Sequence, residues 1–320
     1  MKQAIQQISQ SVAGPMERFR EVYSTSLQSQ NPLINQMVAH VKESSGKQMR
    51  PLLVLLCAQL CGEINDSTLH AAVALELLHV ASLIHDDVID ESDERRGKPS
   101  LLAKFQSKTA VLGGDFFLST ALSEAVETQN LAMVNCIANM GKALVNGELL
   151  QLSGSKNAIY TEENYFNVIK AKTAELFRTC AVLGAISVSS QAETIQTMAR
   201  MGEAIGICFQ LKDDIFDYQE NARTGKPTGN DIQEGKMTLP LLSVYLQASP
   251  AEQAQIKQAF DNKEVDYIRQ LVVEKGGIDY TQQKIAYYKE QAIQYLHTFD
   301  ASATRNALEQ LILLVANREK

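Results

Sequence analysis

Apolar residues recur at the three- and four-residue spacing of an amphipathic helix from one end of the chain to the other. Runs of strand length that alternate apolar and polar positions are nearly absent, so the pattern predicts an all-α protein. Helices are expected over residues 3–28, 32–44, 51–62, 67–91, 99–106, 108–128, 130–152, 162–171, 173–187, 191–218, 236–248, 250–260, 263–274 and 278–316. Most of the prolines, at 15, 32, 51, 99, 227, 240 and 250, stand beside polar or glycine-bearing breaks and so punctuate helices. The widest break, Asn221 to Gly235, holds Gly225, Pro227, Gly229 and Gly235, more turn residues than a simple connection needs, and suits a lid.

The segment from Ala71 to Ile84 is apolar enough to suggest a membrane span, yet Glu76 and His79 interrupt it and carboxylates end it. A buried central helix is the expectation, with no transmembrane segment. At 320 residues, one continuous helical core is expected, a single domain over 1–320. The net charge of -7 excludes the basic footprint that nucleic-acid binding needs. The start, MKQAIQQISQSVAG, has no apolar run behind its lysine, so no signal peptide and a cytoplasmic location are expected. Cys57, Cys61, Cys136, Cys180 and Cys208 are odd in number and sit mostly in apolar runs, which fits reduced thiols.

Two stretches carry the chemistry. Leu83-Ile84-His85-Asp86-Asp87-Val88-Ile89-Asp90 and Gln210-Leu211-Lys212-Asp213-Asp214-Ile215-Phe216-Asp217 share the form Asp-Asp-x-x-Asp. Helix residues four apart share a face, so Asp86 with Asp90, and Asp213 with Asp217, each form a two-carboxylate ledge. One such pair is ordinary on a solvated helix face. Here both end strongly apolar stretches, which puts the carboxylates at the rim of a core, where two acidic rims could face one cavity. Oxygen donors with no matching His or Cys set suit Mg²⁺, whose shell is commonly completed by water and substrate phosphate.

A phosphate substrate needs cations as well. Arg95 and Arg96 follow the first motif, although alone they read equally as a solvated basic turn. Lys47 and Arg50, in Gly46-Lys47-Gln48-Met49-Arg50-Pro51, are three apart at a helix start, a second anion site. His79 precedes Asp86 by about two turns on roughly the same face, with a core histidine as the alternative reading. Lys172, Thr173, Lys226 and Lys236 complete the phosphate ligands, and Gln210 shares the face of Asp213.

These residues resemble the trans-polyprenyl diphosphate synthases over most of the chain. GKQMRP is similar to that family's Gly-Lys-x-x-Arg-Pro, HDDVIDESDERRG to its first aspartate-rich motif with paired arginines, and AKTAEL to its Lys-Thr element. FQLKDDIFD is similar to the second aspartate-rich motif and GKPTGNDIQEGKMTLP to the lysine loop after it. The resemblance implies a helical bundle around a deep cavity, a homodimer, and a cluster of about three Mg²⁺ ions bridged between the motifs. It implies isopentenyl diphosphate on Lys47, Arg50, His79 and Arg96. It implies an allylic diphosphate on Arg95, Lys172, Thr173, Gln210, Lys226 and Lys236. Metal would fall first to Asp86, Asp90 and Asp213, with Asp87, Asp214 and Asp217 in secondary or water-mediated roles.

The implied reaction is repeated head-to-tail addition, for which the chain needs no nucleophilic Ser, Cys or His. Ala81 and Ser82 are small and leave a path for a growing tail along the helix wall. In the family that resembles medium- and long-chain enzymes making quinone side-chain precursors, with Ile137 as first choice for a floor. The stripe Met133, Ile137, Met140 and Leu144 reads equally as core or dimer interface. A short-chain farnesyl or geranylgeranyl synthase and a non-catalytic subunit of a heteromeric synthase are the alternatives, but such a subunit should have lost metal ligands. A terpene cyclase has no use for the Lys47/Arg50 site, and a phosphohydrolase needs more clustered histidines. Any membrane contact for releasing a greasy product would be peripheral.

Overall fold

Helices joined by short turns account for most of the described residues. The structure, a computed structural model, describes residues 2–44, 46, 48–154, 160–189, 191–219 and 229–318. Its helices are Lys2–Ile8 (α1), Ala13–Ser26 (α2), Pro32–Glu43 (α3), Met49–Cys61 (α4), Asp66–Ile89 (α5), Leu101–Phe105 (α6), Ser107–Glu127 (α7), Leu131–Gly154 (α8) and Glu162–Ile169 (α9). They continue as Glu175–Val188 (α10), Ala192–Tyr218 (α11), Asn230–Gln233 (α12), Leu239–Gln247 (α13), Pro250–Asp261 (α14), Val265–Glu274 (α15), Gly277–Leu296 (α16) and Ala303–Asn317 (α17). Among the described residues the only strands are Glu94–Arg95 (β1) and Lys98–Pro99 (β2), paired antiparallel. The fold is all-α, as the hydrophobic period requires.

Three differences from the sequence pattern have local causes. A 3₁₀ turn at Ser9–Val12 interrupts the first predicted helix. The break expected near residue 172 is a π-helical turn, Lys170–Ala174, that carries α9 into α10. The helix expected over 278–316 stops at Leu296 and restarts at Ala303. There Ser302 Oγ accepts the Arg305 N–H at 3.1 Å and Arg305 Nη1 donates to the Phe299 carbonyl at 2.9 Å. Such side-chain bonds to backbone stabilise a helix start over a continued helix.

Packing divides the chain into two units, each assembled from discontinuous segments. The first comprises Met1–Lys142, Phe177–Ala199 and Leu296–Leu311. Its centre is α5, which packs against α2, α4 and α7. Asn65 starts α5 with a capping box: its side chain accepts the Thr68 N–H while the Thr68 hydroxyl accepts the Asn65 N–H. Ala71 through Leu75 of α5 and Val54 through Ala58 of α4 have no exposed surface. By length and composition α5 is apolar enough to cross a membrane, but 67% of that stretch is buried within the protein. Each fully buried Leu or Val in it contributes about 1.5–3 kcal/mol.

The second unit comprises Ala143–Leu176, Arg200–Tyr295 and Ile312–Lys320. Its core gathers Tyr218, Ile232, Leu241, Ile256, Phe260, Ile268 and Val272 from α11 through α15.

Candidate active site

The first acidic motif occupies the last turn of α5 and the residue that closes it. Asp90 is the C-cap, its N–H bonded to the Asp86 carbonyl at 2.8 Å, and Ser92 N–H reaches the Asp87 carbonyl at 2.9 Å. The chain then turns through β1 and β2. Arg96 and Gly97, both with positive φ (55° and 77°), form the two-residue turn between them. A hairpin of this length favours that backbone, which an arginine adopts only at a steric cost.

The hairpin sends Arg95 back to the motif. Arg95 Nε lies 2.8 and 2.7 Å from the two oxygens of Asp87, and Nη2 lies 2.6 Å from Oδ1. Asp87 is buried at 3% exposure, so this ion pair balances a carboxylate that would otherwise be costly. Asp86 is half-buried and Asp90 exposed, leaving an outward ledge of two carboxylates one turn apart.

Beside this motif the first unit encloses a cavity of about 220 Å³, lined among others by Gly46, Gln48, Glu76, His79, Asp87 and Arg96. Arg96 Nη1 donates to the Ser44 carbonyl at 3.2 Å. A Cβ on Gly46 would fall 2.6 Å from Arg96 Nη1, so glycine at 46 is what lets the guanidinium lie against this loop. His79 is buried, and its pKa is driven well below the usual value by burial and then by Arg50, Arg96 and Arg95. In these surroundings the neutral imidazole is favoured over the imidazolium. Arg50 is drawn down by burial against the opposing pull of Glu76, and its Nε is buried without a partner. Lys47 lies outside the described residues.

Glu76 is a cavity residue that the sequence pattern showed only as an interruption of an apolar helix. Burial raises its pKa against Arg50 and Arg96, and Oε2 has no hydrogen-bond partner. Its spacing of three from His79 was the available signal, because i and i+3 share a face.

The second acidic motif lies within α11, and its three carboxylates do different things. Asp214 is buried at 1% exposure, accepts the Tyr165 hydroxyl proton, and takes Gln210 Nε2 at 2.7 Å. Burial pushes its pKa up to about 6 although both hydrogen bonds oppose this. Asp217 accepts the backbone N–H groups of Gly229, Asn230 and Asp231, each at 3.0 Å, and so caps the start of α12. Asp213 has a side chain 43% exposed, and it is paired with Arg318.

Thr173 donates to Gln210 Oε1 at 2.8 Å, which ties the π-helical turn to Asp214 through the Gln210 amide. Lys172, on the same turn, pairs with Glu148 of α8 at 2.5 Å. The turn approaches α8 at Gly147, where a Cβ would lie 3.1 Å from the Lys172 backbone nitrogen. Lys236 pairs with Glu234. Lys226, and residues 220–228 of the loop read as a lid, lie outside the described residues. Of the residues read for chain length, Ala81 and Ile137 are in the core at 1% and 2% exposure. Ser82 is half-buried and donates to the His79 carbonyl at 2.9 Å.

Among the described residues no three His, Cys, Asp or Glu side chains converge as a closed metal cage. The surface carboxylates of Asp86, Asp90 and Asp213 are hard oxygen donors, and a cation on any of them would keep open positions for water or phosphate oxygen. That fits Mg²⁺ better than a fully protein-liganded ion.

Comparison with known proteins agrees with this chemistry. The polyprenyl synthetase family profile matches residues 31–275. The chain is 33% identical to an all-trans-nonaprenyl-diphosphate synthase (geranyl-diphosphate specific) of Rhodobacter capsulatus, covering 98% of each chain. It is similar to the crystal structure of a polyprenyl synthase from Caulobacter crescentus complexed with calcium and isoprenyl diphosphate, at TM-score 0.90 and 32% identity over 98% of each chain. It is also similar to a geranylgeranyl pyrophosphate synthase from Bacteroides thetaiotaomicron, at TM-score 0.85 and 38% identity over 99% of this chain and 100% of that one.

Proposed function

The chain belongs to the polyprenyl synthetase family, and we propose that it is a Mg²⁺-dependent trans-prenyltransferase acting as a single domain over residues 1–320. It adds isopentenyl diphosphate head to tail to an allylic diphosphate, farnesyl or geranylgeranyl diphosphate, and builds a long-chain product of the kind used for quinone side chains. One observation carries elongation over simple ionisation of an allylic diphosphate. The cavity beside α5 is lined by Lys42, His79, Arg95 and Arg96 together with Glu76 and Asp87, but not by Asp86 or Asp90, which supports an anion site beside the carboxylate ledge and distinct from it. Two diphosphates need two such places.

In this reading Arg96, His79, Arg50 and Lys47 hold isopentenyl diphosphate, with Arg96 braced on Gly46 and Ser44. Lys172, Thr173, Gln210, Lys226, Lys236 and Arg95 receive the allylic diphosphate. Lys172 exchanges Glu148 for phosphate oxygen, and Arg95 reaches it from Asp87. Asp86, Asp90 and Asp213 hold the cations, a cluster of about three, while Asp87, Asp214 and Asp217 stay with Arg95, Tyr165 and the start of α12. When bound, Mg²⁺ supplies the charge that lets diphosphate leave as the allylic C–O bond breaks. The double bond of isopentenyl diphosphate then attacks the allylic carbon, and the lost proton goes to the released diphosphate. Apolar helix walls exclude water from the cation.

The active form is a homodimer. On α7, Val111, Leu112, Leu122 and Val126 share one arc of about 100° and are exposed, at 66% for Leu112 and 65% for Val126, an apolar face that suits a second copy. Leu122→Glu with Val126→Glu is expected to give a monomer by light scattering. Five free cysteines fit a reducing, cytoplasmic setting, with only peripheral membrane contact for product release.

The test is incubation with Mg²⁺, labelled isopentenyl diphosphate and farnesyl diphosphate, with products sized by chromatography. Long products support the full reading, and Ala81→Phe should then shorten them. A product that stops after one addition would support the geranylgeranyl-length reading, favoured by the 38% identity to the Bacteroides enzyme. No incorporation with any allylic primer would leave a non-catalytic subunit.

A further inference from the structure

The second acidic motif has a partner outside the proposed substrate and metal contacts. Arg318 is the residue just past α17, and its guanidinium lies along the α11 face that carries Phe209, Asp213 and Phe216, spaced at i, i+4 and i+7. The guanidinium carbon is 3.8 Å from the Phe209 ring centroid and 5.4 Å from that of Phe216. Nη2 donates to the Phe209 carbonyl at 2.7 Å and pairs with Asp213 Oδ1, also at 2.7 Å. The Arg318 side chain is only 10% exposed against 43% for Asp213, so the arginine is the fixed member and the carboxylate the accessible one.

A guanidinium can do this and an ammonium cannot. Its plane stacks on an aromatic ring while its edge still donates in two directions, and it is weakly enough hydrated to be buried. Held by stacking and by a helix carbonyl, Arg318 fixes one oxygen of Asp213 and thereby the orientation of the whole carboxylate. Carboxylates that bind metals are commonly oriented by just such a second hydrogen bond.

We propose that Arg318 is a positioning residue of the metal site: the C-terminal segment sets the orientation in which Asp213 meets a divalent cation. This rests on Asp213 being a metal ligand, as proposed above. Arg318 itself touches neither substrate nor metal.

The experiment is a Mn²⁺ titration followed by electron paramagnetic resonance on the full-length protein, loaded with farnesyl thiodiphosphate. Arg318→Met, which keeps apolar contact with the rings, should weaken Mn²⁺ binding roughly 10- to 100-fold. Arg318→Lys, which keeps charge without stacking, should recover part of the loss. Adding Arg318→Met to Asp213→Ala should cost nothing further, because the effect passes through Asp213. Metal-free binding of isopentenyl diphosphate, which a folding defect would also reduce, should stay at the wild-type level. Wild-type Mn²⁺ affinity in Arg318→Met, tighter binding, or equal losses with and without Asp213 would each overturn the proposal. If the wild-type protein binds no Mn²⁺ in the loaded state, it is the metal reading of Asp213 that fails instead.

Discussion

The two acidic motifs have the same letters and different fates. In the first, the middle carboxylate is buried, Asp87 onto Arg95, while Asp86 is half-buried and Asp90, a turn on, is exposed. In the second, the middle carboxylate is again withdrawn, Asp214 onto Tyr165 and Gln210, but the third is spent as well. Asp217 holds three backbone N–H groups at the start of α12. The cause is the path of the chain just beyond each motif. Asp90 is the C-cap of α5 and the chain turns away from it, whereas α11 continues to Tyr218 and the returning chain brings a helix N-terminus onto Asp217. A motif spelled Asp-Asp-x-x-Asp thus buries one carboxylate in one place and ties up two in the other.

The largest effects should test what the motifs share. Asp86→Ala and Asp213→Ala are each expected to lower kcat roughly 10²- to 10³-fold, as removal of an electrostatic stabiliser does, with a melting temperature close to wild type for Asp86→Ala and a lower one for Asp213→Ala, which takes the counter-ion from the largely buried Arg318. Folded variants that keep near-normal turnover would remove both from the metal site. The third position tests the contrast. Asp217→Ala should cost about 2 kcal/mol of stability, seen in urea unfolding, because a charged cap is lost. Asp90→Ala should leave the unfolding curve alone and raise the Mg²⁺ concentration needed for activity. Equal behaviour of the two variants would show that the motifs are used alike.

A smaller effect separates the cation sites. Gly46→Ala sets a methyl against Arg96 and should raise KM for isopentenyl diphosphate about tenfold, with KM for the allylic substrate unchanged. Gly147→Ala, which pushes on the Lys172 turn, should do the reverse. A shared change in both constants would mean that neither glycine is specific to its site.

How much of the molecule was legible in the sequence depends on the range of the interaction. The helices follow from apolar periodicity, and the acidic and basic motifs are local strings whose spacing on a helix is fixed by its geometry. The restart at Ala303 was missed because nothing in periodicity outweighs a Ser302 cap. The β1–β2 hairpin was missed because two-residue strands leave no alternation. In the sequence only the family resemblance tells Asp87 from Asp90, and the physical reason lies in the hairpin, which returns Arg95 onto Asp87. Tyr165 and Arg318 were missed for a further reason. Each acts through a partner on another element, Arg318 on Asp213 more than a hundred residues away, and a single sequence carries no trace of such a pairing.

The first region differs from the second in one more respect, with the smallest expected effect. It keeps a histidine neutral among arginines. Because burial and Arg50, Arg96 and Arg95 hold the His79 pKa well below its unfolded value of about 6.5, the folded protein binds fewer protons than the unfolded chain on the acid side. Stability from this one group is therefore fully present above about pH 6.5 and is lost as pH falls, by up to about 1.4 kcal/mol per pH unit. His79→Gln keeps an N–H donor and has no such titration, so its urea midpoint should fall less than that of the wild type between pH 7 and 5.5. Isopentenyl diphosphate should bind the variant with little loss if neutral His79 serves as a donor. A large loss of binding at pH 7, with no change in the pH slope of stability, would mean that His79 carries charge in the folded protein.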